Sequence, residues 1–103
     1  MKLSTRHTST GRVISIETDK ELDLKSHGVF VDACRLAEHP EHNRIDVDLM
    51  RTRNIRGSGV AMLLMLRELT GWESNRIRLL NCKAEIRKQL MKSTLGQQFQ
   101  VVE

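Results

Sequence analysis

The sequence predicts an α/β fold in which a mixed, mostly parallel sheet of about four to five strands is flanked by helices. Short segments rich in β-branched residues are separated by stretches in which apolar residues recur at helical spacing. After the first two strands, helices and strands alternate, and this order favours right-handed crossovers between parallel strands. A length of 103 residues with 39% apolar residues suits one domain with one core, expected over residues 1–103.

The first half of the chain is predicted to contain two strands, a helix and a third strand. These elements cover residues 2–8, 12–17, 25–38 and 44–49, with a short connection at residues 19–24. Val13, Ile14 and Ile16 supply the β-branched residues of the second strand. Pro40 ends the helix, because proline cannot continue the backbone hydrogen bonds. The third strand alternates apolar and charged residues up to Leu49.

The second half continues with a helix, a strand, a helix and a strand, predicted over residues 58–70, 76–81, 82–93 and 98–102. Gly71 closes the first of these helices. Asn81 is predicted to cap the next helix with its side chain. Gly96 separates that helix from the last strand.

Composition favours a cytosolic protein that is not inserted in a membrane. No stretch approaches the ~18 apolar residues of a membrane span, and no signal-peptide pattern is present. Cys34 and Cys82 are expected to be two reduced, partly buried thiols.

The net charge of +4 raises the question of nucleic-acid binding. The basic residues are spread along the chain, however, and the aromatic residues are Trp72, Phe30 and Phe99. Because readers of single strands and RNA combine a basic groove with stacking rings, nucleic acid is not favoured as a partner. Trp72 is interpreted either as the edge of the core or as a partner anchor.

The segment from Asp48 to Leu66 is the most informative candidate site. It joins the end of an apolar strand, a loop with Arg51, Arg53 and Arg56, and a helix that starts near Gly57. A helix start presents unpaired backbone N–H groups and a partial positive charge. Such a place suits a phosphate, a phosphoryl group or an acidic partner.

Two apolar residues of this helix, Val60 and Leu64, fall on its polar side. Either a neighbouring helix or loop covers them, or they form a small patch for docking a partner.

With these elements in place, the chain resembles a STAS domain, the family of bacterial anti-sigma-factor antagonists and related regulators. The resemblance covers residues 10–102 and implies a STAS-like single domain. It is carried by four segments: Glu21-Leu22-Asp23, Ile45 to Leu49, Ile55 to Val60, and Ile86, Leu90, Met91, Ser93 and Leu95.

In this family an Asp-Ser-Ser/Thr-Gly loop is a switch, in which a partner kinase phosphorylates the first Ser and the unmodified form docks. The matching positions here are Arg56, Gly57, Ser58 and Gly59. Gly57 has no hydroxyl group, so the usual switch cannot operate there. Ser58 is a candidate phosphorylation site, or alternatively caps the helix with its hydroxyl group.

The resemblance implies a non-catalytic regulatory and protein-interaction module in a bacterial partner-switching or signalling complex that regulates transcription. The partner would be an anti-sigma factor resembling a serine kinase, or another regulatory protein, and a homodimer is compatible with the sequence. The predicted partner-binding residues are Arg56, Gly57, Ser58, Gly59, Val60 and Leu64.

Other interpretations of the loop are compatible with the sequence. Arg51, Arg53 and Arg56 could be solvated surface charge, or they could hold a nucleotide, a phospholipid headgroup or a phosphoprotein at the helix start. The loop lacks the P-loop pattern. A regulatory subunit of a lipid-transport ATPase is also compatible with the sequence.

An enzyme is not predicted. His39 and His42 have an H-x-x-H spacing, but a zinc site needs three or four ligands. No feature places a base near Ser58. We therefore expect no catalytic residue, no metal and no cofactor.

Overall fold

Apart from two short strands, the strands and helices follow the predicted order along the chain. The computed structural model describes residues 2–9, 11–36, 43–55, 57–70, 77–92 and 99–102. The helices are α1 (His27–Leu36), α2 (Gly57–Thr70) and α3 (Ala84–Met91), and a 3₁₀ turn at Leu24–Ser26 precedes α1. The strands are β1 (Lys2–Thr8), β2 (Gly11–Glu17), β3 (Glu21–Leu22), β4 (Asn43–Asp48), β5 (Asn54–Ile55), β6 (Ile77–Leu80) and β7 (Gln100–Val102).

The main sheet has five strands in the order β1-β2-β4-β6-β7. β1 pairs with β2 in the antiparallel sense, and the remaining neighbours are parallel. The predicted mixed, mostly parallel sheet is therefore confirmed. Its register aligns Ile14, Ile45 and Ile77 in one row across the three central strands.

A second, two-stranded sheet was not predicted. β3 and β5 pair in parallel, with Leu22 opposite Ile55. The N–H groups of Arg53 and Asn54 both donate to the carbonyl oxygen of Lys20, at 2.8 and 3.2 Å. Two residues are too few to show the alternation by which strands are recognised, so this pair could not be predicted from periodicity.

The core lies between one face of the main sheet and the three helices. Buried residues from all of these elements form a single apolar cluster. The sheet contributes Ile14, Ile16, Ile45, Val47, Ile77 and Leu79, and the helices contribute Phe30, Ala33, Met62, Leu63, Leu66, Ile86 and Leu90.

The other face of the main sheet is polar at its centre. Asp46 of β4 is only 4% exposed and lies between two arginines. Nε and Nη2 of Arg78, its neighbour on β6, donate to the two carboxylate oxygens at 3.0 Å each. Arg44 donates to the same carboxylate at 3.1 and 3.4 Å. Two cations thus compensate for the burial of one carboxylate.

The prediction that Asn81 caps the third helix is wrong. α3 begins at Ala84, and Lys83 occupies its cap position without a side-chain hydrogen bond. Asn81 instead has a φ of 55°, a left-handed conformation that asparagine tolerates better than most residues. Its side chain donates a hydrogen bond to Asp48 at the end of β4, as described below.

Both cysteines are free thiols, as expected. Burial raises the pKa of both thiols, and for Cys82 the nearby charge of Arg87 opposes this effect. None of the helices in the described part of the chain is long and apolar enough to cross a membrane.

Several predicted features lie outside the described residues. These are Pro40, Gly71, Trp72, Ser93, Leu95, Gly96, the histidines His39 and His42, and Arg56.

Candidate partner-binding site

The candidate site lies at the carboxyl end of the parallel strands, where ligands bind in open α/β sheets. Backbone hydrogen bonds hold the strand ends together at this edge. The N–H of Thr18, just after β2, donates to the carbonyl of Asp48 at 3.1 Å. The N–H of Leu49, just after β4, donates to the carbonyl of Leu80 at 2.9 Å.

Thr52 anchors the loop that leads from β4 to β5. It is fully buried, and its hydroxyl group donates to the carbonyl of Asp19 at 2.8 Å. It also shares a hydrogen bond with the hydroxyl group of Thr18. Because Thr52 points inward, Arg51 and Arg53 on either side of it are exposed to solvent.

Asp48 fixes the first residue of this loop. Its Oδ1 atom accepts the N–H of Met50 at 3.0 Å and the side-chain amide of Asn81 at 2.9 Å. The left-handed Asn81 therefore joins the ends of β4 and β6. Met50 is held with 58% of its surface exposed.

Gln89 of α3 fixes β5, immediately before the start of α2. Its side-chain oxygen accepts the N–H of Ile55 at 3.0 Å. Its side-chain nitrogen donates to Oδ1 of Asn54 at 3.2 Å. The segment that enters α2 is thus held by β3 on one side and by α3 on the other.

The turn after β3 holds a second exposed apolar residue. Asp23 caps the 3₁₀ turn, because its Oδ1 atom accepts the N–H of Lys25 at 3.0 Å. Ser26 is buried, whereas Leu24 is 63% exposed. The capped turn therefore presents Leu24 to solvent.

α2 begins at Gly57, one residue earlier than predicted. Gly57 is exposed, and a Cβ atom added there would meet nothing within 4 Å. Ser58 is half-buried and is the second helical residue, so it does not occupy the cap position considered from the sequence. Gly59 is buried against the backbone of Leu22.

Charges of both signs line a cleft of about 680 Å³ beside this helix start. The cations are Lys20, Lys25, Arg51 and Arg53, and the carboxylates are Asp19, Glu21 and Asp23. Arg51 and Arg53, predicted as anion ligands, thus come together in one cleft, but beside three carboxylates. Such a mixture suits a partner that carries both charges better than it suits a small anion.

The cleft continues into two neighbouring depressions. Glu21, Asp23 and Lys25 also line the depression that contains Leu24 and Ser58. Arg51 also lines the depression that contains Met50. We call this continuous region the cleft surface, defined by Glu21, Asp23, Leu24, Lys25, Met50, Arg51, Arg53 and Ser58.

Other predicted partner-binding residues lie elsewhere. Val60 and Leu64 are half-buried and pack against the core, so neighbouring elements cover them in part. Gly59 is buried, and its contact with Leu22 gives it a packing role.

The sequence reasoning missed Leu24 and Met50. A signal exists for Leu24, which is a single large apolar residue between Asp23 and Lys25, whereas Met50 directly follows the apolar Leu49 and is not distinguished from it by the sequence. Among the described residues, no group of three or more His, Cys, Asp or Glu side chains could hold a metal ion.

The fold defines a class of small α/β domains in which helices cover one face of a mixed, mostly parallel sheet. The solved structure of the unphosphorylated anti-sigma factor antagonist SpoIIAA superposes with a TM-score of 0.70 at 19% identity, covering 99% of this chain and 89% of that one. RsbS S58E of Moorella thermoacetica gives a TM-score of 0.68 at 14% identity, covering 100% and 86%. The phosphorylated form of the Bacillus cell fate determinant SpoIIAA gives 0.59 at 21% identity, covering 99% and 92%.

The family follows from a relative in sequence. The chain is 33% identical over 102 residues to a STAS-domain containing protein of Pseudomonas aeruginosa (strain UCBPP-PA14), covering 98% of this chain and 99% of the relative. No family model matches the chain. The chain belongs to the STAS-domain proteins.

Proposed function

We propose that this chain is a non-catalytic docking module of a bacterial partner-switching complex, acting in the cytosol. Its cleft surface binds a regulatory protein partner, of the anti-sigma kind or another kind. The solved structures with the same fold include an anti-sigma factor antagonist, which supports this class of partner.

The observation that carries the proposal is the pairing of exposed apolar residues with a cleft of mixed charge. Leu24 and Met50 are 63% and 58% exposed, whereas the nearby Leu22 and Leu49 are fully buried. Each of the two exposed residues lines a depression that shares charged residues with the cleft. Apolar anchors beside charged groups are the usual make-up of a protein interface, in which the apolar residues supply affinity and the charges select the partner.

The proposed module works without the usual phosphoserine switch. The position that matches the phosphorylated Ser of the family is Gly57, which has no hydroxyl group. Ser58 stands one position later, so its side chain is turned by about 100° around the helix axis. Glu21, Asp23 and Lys25 line the same depression as Ser58, and two negative charges against one positive charge oppose the addition of a phosphate.

Affinity capture from the native host, with quantitative mass spectrometry, tests the docking surface. Wild-type protein is compared with Leu24→Glu and Met50→Glu, each of which places a charge where an apolar contact is proposed. Ser9→Glu adds the same charge in the turn between β1 and β2, at the other end of the sheet. We expect a partner that is recovered with wild type and Ser9→Glu and is lost with the other two variants.

Ser58→Ala in the same experiment tests independence from phosphorylation. We expect unchanged recovery of the partner and no phosphate on Ser58 of the wild-type protein. Equal recovery with all charge variants would contradict the docking surface. Stoichiometric phosphate on Ser58 would contradict the proposal that the module works without a phosphoserine switch.

A further inference from the structure

The outward face of α3 is exposed and is distinct from the cleft surface. Four residues at spacing i, i+3, i+4 and i+7 share this face, which we call the α3 stripe: Ala84, Arg87, Lys88 and Met91. All four are exposed. Ile86 and Leu90 occupy the opposite face and are buried in the core, which fixes the orientation of the helix.

The α3 stripe lines a shallow groove with Cys82. The groove has a volume of about 340 Å³, and its lining includes the methyl group of Ala84 and the side chain of Met91. Met91 is 42% exposed and is thus one of the large apolar side chains that the protein leaves in contact with water. The groove has room for an apolar side chain of another molecule.

Positive charge surrounds this groove. Arg87 and Lys88 line it directly. Lys83 and Lys92, at the two ends of α3, are also exposed. Glu85 is the one acidic residue within residues 83–92, all of which the structure describes. Four cations against one carboxylate make this face strongly basic, in contrast to the mixed charges of the cleft.

We propose that the α3 stripe is a second binding site, which takes an acidic segment of a partner protein. An apolar side chain of that segment lies in the groove against Met91, and carboxylates on both sides of it pair with Arg87 and Lys88. This arrangement follows the general mode by which basic clusters recognise acidic motifs.

The chemistry of the groove favours a protein over other polyanions. Single-stranded nucleic acids bound without sequence preference are held by aromatic stacking together with cations, and none of the described residues that line the groove is aromatic. Attachment to a membrane surface needs a broad apolar face, whereas α3 offers Met91 alone as a large exposed apolar residue.

Fluorescence anisotropy with a defined probe tests the second site. The probe is a fluorescein-labelled peptide of repeated Asp-Leu-Glu units, and its comparator has Ser in place of each Leu. Lys88→Glu replaces attraction by repulsion, so we expect peptide affinity to fall about tenfold. Lys2→Glu makes the same charge change on exposed β1 and should retain wild-type affinity. Met91→Ser should weaken the Leu peptide and leave the Ser peptide unaffected.

Equal affinities of Lys88→Glu and Lys2→Glu would overturn the proposal, because binding would then follow net charge alone. The second control compares the peptide with oligothymidylate and with phosphatidylserine vesicles. If either binds more tightly than the peptide, and Lys88→Glu abolishes that binding, the α3 stripe is a site for nucleic acid or membrane, and the proposal of a protein partner is overturned. Leu24→Glu is expected to bind the peptide like wild type, so the outcome is independent of the proposed function. Circular dichroism of each variant verifies that it is folded.

Discussion

Gly59 and Leu22 meet backbone to backbone. A Cβ atom at Gly59 would lie 2.0 Å from the carbonyl oxygen of Leu22, far inside van der Waals contact. Leu22 belongs to β3 and is fully buried. The absence of a side chain at Gly59 therefore lets the first turn of α2 lie directly on β3, which sets the position of the cleft surface.

Gly59→Ala is expected to destabilise the protein by about 1–3 kcal/mol, the usual cost of overpacking. For a domain of this size, each kcal/mol lowers the melting temperature by about 4–8 °C. Gly57→Ala is the matched control, because a Cβ atom there meets open space and alanine favours the helix. Thermal unfolding of both variants measures the difference. Equal melting temperatures would show that β3 and α2 can move apart without loss of stability.

Gln89→Leu is expected to destabilise the protein by about 1–2 kcal/mol, because the N–H of Ile55 and the side chain of Asn54 lose their partner. Gln89→Glu keeps an acceptor for the Ile55 N–H and should have a smaller effect. Hydrogen exchange of the Ile55 amide measures this directly. Faster exchange is expected in Gln89→Leu alone, and equal protection in both variants would argue against the role of Gln89.

The carboxylate of Asp46 is expected to be held more strongly by Arg78 than by Arg44. The hydrogen bond to Asp46 raises the pKa of Arg78, so Arg78 remains charged at any ordinary pH. Its two contacts are 3.0 Å each, compared with 3.1 and 3.4 Å for Arg44. Arg78→Met should therefore cost more stability in urea unfolding than Arg44→Met.

Asp46→Asn leaves both arginines without an anion and is expected to cost about 1–3 kcal/mol. Part of this loss should be recovered in high salt, which screens the repulsion between the two cations. A larger effect of Arg44→Met than of Arg78→Met would contradict the geometry of this contact.

The two thiols are expected to make stability depend on alkaline pH. Burial raises the pKa of Cys34 and Cys82, so the folded protein keeps these protons while the unfolded chain loses them. The folded state then binds more protons than the unfolded state, and stability falls as pH rises from the ordinary thiol pKa to the raised one. Below that window the contribution is fully present.

Urea unfolding at a series of alkaline pH values measures this dependence, and alkylation by iodoacetamide, followed by mass spectrometry, measures the burial of the thiols that causes it. Both thiols should react more slowly than in urea-unfolded protein, and buried Cys82 more slowly than half-buried Cys34. Reaction of the folded protein at the unfolded rate would show that the thiols are accessible.

The large elements could be predicted because their residues repeat at the period of the structure. Ile45, Val47 and Leu49 alternate, and all three are buried in the core. The apolar residues of α2 likewise recur at the helical period, and Met62 and Leu66, four residues apart, are both buried. Resemblance at Glu21-Leu22-Asp23 also pointed to residues that have structural roles, since Leu22 contacts Gly59 and Asp23 caps the turn before α1.

The site could be predicted only in part, because it depends on contacts between distant segments. Thr52 is fully buried and hydrogen-bonded to Thr18 and Asp19, and no local sequence pattern distinguishes it from an exposed loop residue. The contact of Gln89 could not be predicted either, because Gln89 lies 34 residues from Ile55 in the sequence. Asn81 was misassigned because its residue type suits a helix cap as well as a left-handed turn.

The affinity of a purified partner for the cleft surface tests the central proposal most directly. With the protein captured from the native host as titrant, calorimetry compares wild type, the double variant Leu24→Ser and Met50→Ser, and the control Ser9→Glu. Removal of both apolar anchors should weaken binding about tenfold or more, since a few residues carry most of the binding energy of an interface. The control should bind like wild type. Unchanged affinity of the folded double variant would contradict docking at the start of α2.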